Sequence, residues 1–348
     1  MEKNHKRRNS MTVTIKDIAK LANVSHTTVS RALNNSPFIK EKTKQKILSI
    51  AKQLNYSPNV HARGLVSQKS FTIGLFFTSL TEGTSSSFFV DALKGVNSVM
   101  TEHYNLFVRG IDDFHDYTTI HKQRYDGILL MSQSEHDEAF IHHVKKQGIP
   151  IIVLNRRVES NEVMNILADD SQGAYQAAHY FIQQGHHQIA IIEGKEGFKS
   201  TQERKAGFLQ ALIDHHIPMK KEYMITGDYH MKSGYESMES LLTLDHPPTA
   251  LFCSNDDMAI GAMNALYAKG KTCPGDISII GFDDIAFSSY TTPAPALTTV
   301  KKPIEKMCAL GAEAILSVIN GEEQEEDHME KIYVHTELMI RDSVKKVQ

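Results

Sequence analysis

Four adjacent aspartate pairs, Asp112–Asp113, Asp169–Asp170, Asp256–Asp257 and Asp283–Asp284, and three histidine pairs, His142–His143, His186–His187 and His215–His216, stand out as groups that could do chemistry. Paired acids would serve a glycosidase, which needs two carboxylates flanking one bond, and paired imidazoles would serve a metal. Neither fits. Sequence neighbours diverge by about 100° on a helix and point to opposite faces of a strand, so they do not converge on one bond or ion. HExxH, GxSxG and G-x-x-x-x-G-K-[ST] runs are absent, and GKEGFKS has the wrong spacing for a phosphate loop. No catalytic residue, metal ligand or cofactor is expected. Binding chemistry is better supplied. Arg204 offers a planar fork of donors, Asp283 and Asn255 offer acceptors, and Tyr229 or Phe89 offers an apolar face, which together suit a polar ring or an acid sugar. Arg156 beside Arg204 would favour a carboxylated sugar. Each of these residues alone suits a cap or a surface ion pair equally well; their shared place just after apolar strand-like runs groups them.

A second chemistry, attraction of a polyanion, is concentrated at the other end. Residues 1–70 hold 14 Lys and Arg against 3 Asp and Glu, a net of +11, whereas the remainder holds 24 against 38, a net of −14. The formal net charge of −3 conceals this split. The basic charge coincides with a compact helical pattern and not with a low-complexity run, which favours nucleic-acid binding over a solvated tail.

That pattern must position the polar groups. In TIKDIAKLANVSHTTVSRAL, Thr14 and Asp17 form a [ST]-x-x-[DE] capping box, Ile15, Ile18, Ala19 and Ala22 recur at helical spacing, and Asn23 tolerates the left-handed turn. Ser25 caps a second helix whose Val29 and Leu33 turn inward while His26, Thr27, Thr28, Ser30 and Arg31 stay polar. Such a helix enters a major groove by its N-terminal end; a plain helical hairpin is the alternative. A third helix over Lys42–Leu54 buries Ile47, Ile50, Ala51 and Leu54, with Lys40, Lys42, Lys44 and Lys46 toward the DNA side. Ser57–Pro58 then starts about two helical turns, too short to be stable alone. A linker that folds on DNA and offers Leu65 to the minor groove fits, as does a plain interdomain linker.

From Phe71 strands and helices alternate. TIGLFFT, NLFVRG, DGILLM and PIIVLN, then QIAIIEG, YMITGD, TALFCS and DISIIGF, suit parallel strands covered on both faces. The expected class is a small all-α helix-turn-helix domain followed by two doubly wound α/β lobes. We divide the chain into a disordered basic arm (1–11), a helix-turn-helix domain (12–56), a hinge and linker (57–70), a first lobe (71–165) and a second lobe with crossovers (166–348). The last strands and the helix after Pro303 cross back between lobes, and the cleft between them is the expected ligand site. With 41% hydrophobic and 23% charged residues and no apolar run of membrane-spanning length, the composition is that of a soluble protein. No apolar stretch follows the basic N-terminus as a secretory signal would, so a cytoplasmic location is expected, with Cys253, Cys273 and Cys308 as reduced thiols.

Taken together, TIKDIAKLANVSHTTVSRALN, YSPNVHARGL, ERKAGF, CSNDDMAIGAMNAL and DISIIGFDD, in that order, resemble the LacI/GalR family of bacterial transcription regulators over about Thr12 to Asp342. A looser likeness is to hexuronate-utilisation repressors. The resemblance implies periplasmic-binding-protein-like lobes and DNA contacts from Thr14, Ser25, His26, Thr27, Thr28, Ser30, Arg31 and Asn35, and from Tyr56, Ser57, Asn59, Ala62, Arg63 and the intercalating Leu65 of the hinge. Val66 stands where the family often has lysine. The resemblance places the effector pocket at Phe88, Phe89, Ser132, Asn155, Arg204, Tyr229, Asn255 and Asp283, with Ser87 replacing the usual proline. A homodimer on a near-palindromic operator, released by a sugar or sugar acid, is the function implied. A co-repressor- or partner-dependent regulator is the nearest alternative, and a sugar-binding protein without DNA affinity a more distant one that leaves the basic head unexplained.

Overall fold

The computed structural model describes residues 13–33, 36–54, 56, 69–159, 163–289, 295–322 and 331–347. The chain divides into two compact units, residues 1–68 and 69–348.

In the first unit, α1 (Ile15–Ala22), α2 (His26–Leu33) and α3 (Glu41–Gln53) close a small core of Ile18, Ala22, Val29, Ala32 and Ile47. The Asp17 carboxylate accepts both the Thr14 N–H (2.8 Å) and the Thr14 hydroxyl (2.7 Å). Asn23, at φ 54° and ψ 51°, takes the left-handed turn that ends α1. Ser25 Oγ accepts the Thr28 N–H at 3.1 Å and so caps α2. Ile50, Leu54 and Tyr56 are only half-buried and rim this core. Lys46 differs from expectation: its ammonium donates to the Ala22 carbonyl at the end of α1 (3.0 Å), a structural use of a side chain assigned to the DNA side.

Two six-stranded sheets form among the described residues of the second unit. The first lobe contains β1 (Thr72–Phe77), α4 (Ser86–Val99), β2 (Asn105–Gly110), β3 (Gly127–Met131), α5 (Glu138–Lys146), β4 (Ile151–Leu154) and β5 (Met164–Ala168). The second contains α6 (Asp170–Gln183), β6 (Ile189–Glu193), α7 (Lys199–Asp214), β7 (Met224–Thr226), α8 (Met231–Leu242), β8 (Ala250–Cys253), α9 (Asp256–Ala268), β9 (Ser278–Asp283) and β10 (Thr298–Lys301). The chain then returns with α10 (Ile304–Asn320) and β11 (Lys331–Val334) to the first lobe and with β12 (Glu337–Met339) to the second. Strand orders are β11-β5-β4-β3-β1-β2 and β12-β10-β9-β8-β6-β7, parallel except for β12 against β10.

The eight apolar runs are strands. The lobe boundary at 165/166 is not where the first sheet ends, because β5 continues that sheet to Ala168. Nor does the linker extend to residue 70: the Ser70 N–H and hydroxyl both donate to Asp126 Oδ1 (2.7 and 3.0 Å), which fixes Ser70 to the first lobe. β5 escaped the sequence reading because it is short and carries Asn165. That side chain is fully buried, accepting from the Val158 N–H (2.7 Å) and donating to the Val163 carbonyl (2.6 Å). Among the described residues no helix is long and apolar enough to cross a membrane.

Three stretches join the lobes, at 169–170, 302–303 and 335–336, and polar contacts tie them together. Lys302 Nζ reaches Asp170 Oδ2 at 2.5 Å, and the Thr336 hydroxyl donates to the Asp169 carbonyl at 3.2 Å.

Candidate functional site

Strand C-terminal ends of both sheets face one cavity, where open parallel sheets commonly bind ligands. The free space inside it is only about 30 Å³, and Gly83, Ser85, Phe88, Gln133 and Asn155 from the first lobe and Ser200, Arg204, Tyr229, Asn255 and Asp283 from the second line it. That is far below the roughly 300–1,000 Å³ typical of ligand pockets, so a ligand of sugar size needs the two lobes further apart.

Arg204 is the centre of the electrostatics. It is buried on α7, with Nε donating to Asp170 Oδ1 (2.7 Å), one terminal nitrogen to the Ser254 carbonyl and the other to Asp283 Oδ1 (3.3 Å). Its guanidinium lies 3.7 Å from the Phe282 ring centroid, a cation–π contact. Burial disfavours its charge, but Asp170 and Asp283 more than offset this and raise its pKa. Burial also opposes the charge of Asp170, yet Lys302 and Arg204 hold that carboxyl below its ordinary value. Asp283 behaves otherwise. Burial pushes it up to about 6 despite Arg204 and Lys302. Near pH 6, therefore, Asp283 changes charge while the Asp170 carboxylate and the Arg204 guanidinium beside it keep theirs.

Tyr229 is held by hydroxyls. Thr201 spends its proton on the Lys195 carbonyl (2.8 Å), so the Tyr229 hydroxyl donates to Thr201 (2.8 Å) and accepts from Ser200 (3.1 Å). The Asn255 amide donates to the Tyr229 carbonyl at 2.8 Å, while its oxygen caps α9 through the Met258 N–H at 2.9 Å. Asn155 donates to the Ser132 carbonyl (3.1 Å) and accepts from Lys302 (2.7 Å). Asn155 (φ 74°), Tyr229 (φ 72°) and Asp283 (φ 109°) all occupy backbone conformations that side chains rarely adopt. Such strain persists where the surroundings over-determine it, which is common at binding sites.

Beside the cavity the lobes touch directly. Ser134 and Phe198 form an antiparallel bridge, the Lys199 N–H donates to the Gln133 carbonyl (2.9 Å), and Lys195 pairs with Glu82 at 2.5 Å. Gly83 lies against the Phe198 ring, where an added Cβ would come within 2.6 Å.

Six of the eight residues assigned to the pocket meet at this cavity: Phe88, Asn155, Arg204, Tyr229, Asn255 and Asp283. Phe89 and Ser132 do not line it. Phe89 packs against Phe77 with ring centroids 5.5 Å apart, and Ser132 lies beneath the cavity, donating to Asp137 (2.6 Å) and accepting from Arg156 Nε (2.7 Å). Nor does Arg156 join Arg204: its fork pairs with Glu138 at 2.9 Å in a separate charged groove with Arg157, Lys199 and Glu203.

In the first unit, Thr14, Ser25, His26, Thr27 and Arg31 are exposed, and Thr28 and Ser30 are half-buried. The Thr28 hydroxyl is tied to Ser25 Oγ at 2.9 Å, so it serves the cap. Tyr56 sits against the three-helix core. Asn35, Ser57, Asn59, Ala62, Arg63 and Leu65 lie outside the described residues.

Two family models match the chain: bacterial regulatory proteins of the lacI family over residues 14–59, and a periplasmic binding protein-like domain over residues 178–344. A relative from Bacillus subtilis (strain 168), named probable HTH-type transcriptional repressor ExuR, is 61% identical over 96% of this chain and 99% of its own length. The chain belongs to the LacI family. It is a DNA-binding transcriptional regulator. Among solved structures, the lac repressor dimer bound to operator and an anti-inducer is 25% identical, with a TM-score of 0.79 over 96% of this chain and 99% of that one. A complex of the transcriptional regulator CelR with cellobiose is also 25% identical, with a TM-score of 0.71 over 95% and 99%.

Within this LacI-family chain, Gly83, Ser85, Gln133 and Ser200 line the cavity and were not anticipated. Gln133 carries the signal that flagged Asn155: it stands just past the end of a buried strand. Ser200 is one turn before Arg204 on the same helix. Lys302 and Asp170 were missed because their place in the crossovers, and not their spacing, brings them to Arg204.

Proposed function

We propose that the protein represses a carbohydrate-utilisation operon and is released by a small sugar acid, of the hexuronate class, held in the cavity between the lobes. The cavity's charge carries this reading. Arg204 lines the cavity, and the other charged group among its described lining residues, Asp283, is neutral below about pH 6, so the walls attract a single carboxylate most strongly at mildly acidic pH. The cavity's hydroxyl and amide lining suits the rest of a monosaccharide once the lobes part to admit it. The name of the Bacillus subtilis relative as a probable repressor points the same way.

On the DNA side, we assign base and phosphate contacts to His26 and Thr27 at the exposed start of α2 and to Arg31 in its last turn, with the hinge around Leu65 entering the minor groove of a near-palindromic operator as a homodimer. Ligand binding changes the balance between lobe arrangements and thereby DNA affinity, without turnover of the ligand, in the cytoplasm. A mobility-shift assay on the DNA upstream of the chain's own gene tests this. Hexuronates release the complex while neutral hexoses do not, and affinity falls steeply with salt. Release by neutral sugars alone would sink the sugar-acid assignment; tighter DNA binding with hexuronate would make the ligand a co-repressor.

A further inference from the structure

Gln133 stands out among the cavity walls because its polar atoms are used unequally. Its N–H meets Thr78 Oγ1 (2.8 Å) and Asp137 Oδ2 (3.3 Å), and its carbonyl accepts the Lys199 N–H from the other lobe. The main chain is thus pinned on both sides. Its side chain is different: the residue is 5% exposed and lines the cavity, yet Oε1 has no hydrogen-bond partner among the described residues. A buried acceptor left unpaired is costly and rare in native structures.

We infer that Gln133 Oε1 is a specificity-determining acceptor that takes a hydrogen bond from one ring hydroxyl of the effector, which rests on the sugar-acid reading above. The orientation of the amide gives binding a polarity. With Oε1 as its unpaired atom, Gln133 accepts and does not donate, so it matches a hydroxyl and not a carboxylate, which has no proton to give near pH 7. The carboxylate end accordingly faces Arg204 on the second lobe and the hydroxyl faces Gln133 on the first. The ligand then spans the cleft at the point where the Gln133 carbonyl already receives the opposite lobe's N–H. Recognition of the hydroxyl and closure of the lobes involve the same residue.

The test is a cycle between one side chain and one hydroxyl, measured by calorimetry on the full-length chain. Wild type and Gln133→Met, which keeps length but removes the acceptor, are titrated with D-glucuronate, D-galacturonate and their 2-, 3- and 4-deoxy analogues. Wild type should lose about tenfold or more in affinity for one deoxy analogue. Gln133→Met should bind the parent about tenfold more weakly and no longer distinguish it from that analogue. Its ligand-free melting temperature should equal or exceed wild type, because the lost acceptor bonds nothing in the protein. Equal affinity of both proteins for the parent, a deoxy penalty that persists in Gln133→Met, or a clear drop in its ligand-free melting temperature overturns the assignment while leaving the sugar-acid reading intact. Failure of wild type to bind any hexuronate overturns both.

Discussion

Replacing Lys302 with methionine keeps the aliphatic stem and removes the ammonium that sits 2.5 Å from Asp170 Oδ2 and 2.7 Å from Asn155 Oδ1. Both members of the ion pair are 1% exposed, so water cannot take over as partner. Removing one partner of a buried pair leaves an uncompensated charge and typically costs about 3–5 kcal/mol. Asp170 retains Arg204 at 2.7 Å, which places the expected loss near the lower figure, about 3 kcal/mol. For a unit of about 280 residues the unfolding entropy is near 0.6 kcal/mol/K, so the melting temperature should fall by about 5 °C. Thermal denaturation followed by circular dichroism reads this directly. Lys302→Met/Asp170→Asn should be more stable than the sum of the two single losses allows, by about 2 kcal/mol, since the double variant has neither charge left unpaired. A shift under about 1 °C for Lys302→Met, or strict additivity in the cycle, would show that the two groups do not depend on each other, and the account of how the lobe crossovers are tied together would fall.

Further outcomes follow from other parts of the structure. Asp283 is raised from 3.8 to about 6 by burial, so its contribution to stability is fully present below its unfolded value and is lost as pH rises through 6. Melts of Asp283→Asn between pH 4.5 and 7.5 should accordingly gain on wild type as pH rises, and parallel curves would contradict the shift. Gly83 has φ 72° and lies against Phe198, so Gly83→Ala should force the lobes apart and weaken effector binding about tenfold, by calorimetry; unchanged affinity would mean that closure does not need this contact. Burial raises the thiols of Cys253, Cys273 and Cys308, the last two to about 12, so an aromatic disulfide reagent should react slowly with the native chain and with all three thiols after unfolding. Fast labelling of the native protein would count against this burial.

Legibility in the sequence followed simple geometry. Apolar runs such as TIGLFFT and DISIIGF were readable because strands buried on both faces have no other composition available. The capping box at Thr14 and the turn at Asn23 were readable because each is a local bond or a local conformation. The errors at the cavity share one cause. Phe88 and Phe89 are successive on a helix, Ser132 and Gln133 follow one strand, and Asn155 and Arg156 follow another. Of two neighbours only one can face a given side, and residue type does not say which. Phe88, Gln133 and Asn155 face the cavity; Phe89, Ser132 and Arg156 face the first lobe or another groove. Lys302 and Asp170 were out of reach for a different reason: 132 residues separate them, and only the return of the chain through the crossovers brings them together.

The same crossovers bear on how the protein is made. Ile304, Met307, Cys308, Ala312 and Ile315 of α10 belong to the core of the first lobe, and β11 supplies the outer strand of its sheet. A ribosome delivers these residues only after the whole second lobe has emerged, so residues 72–168 wait with the sheet face that α4 and α10 share only partly covered while more than 130 further residues are added. Nascent chains halted before Ile304 should therefore depend on chaperones that shield apolar surface, and those released after Val334 should not.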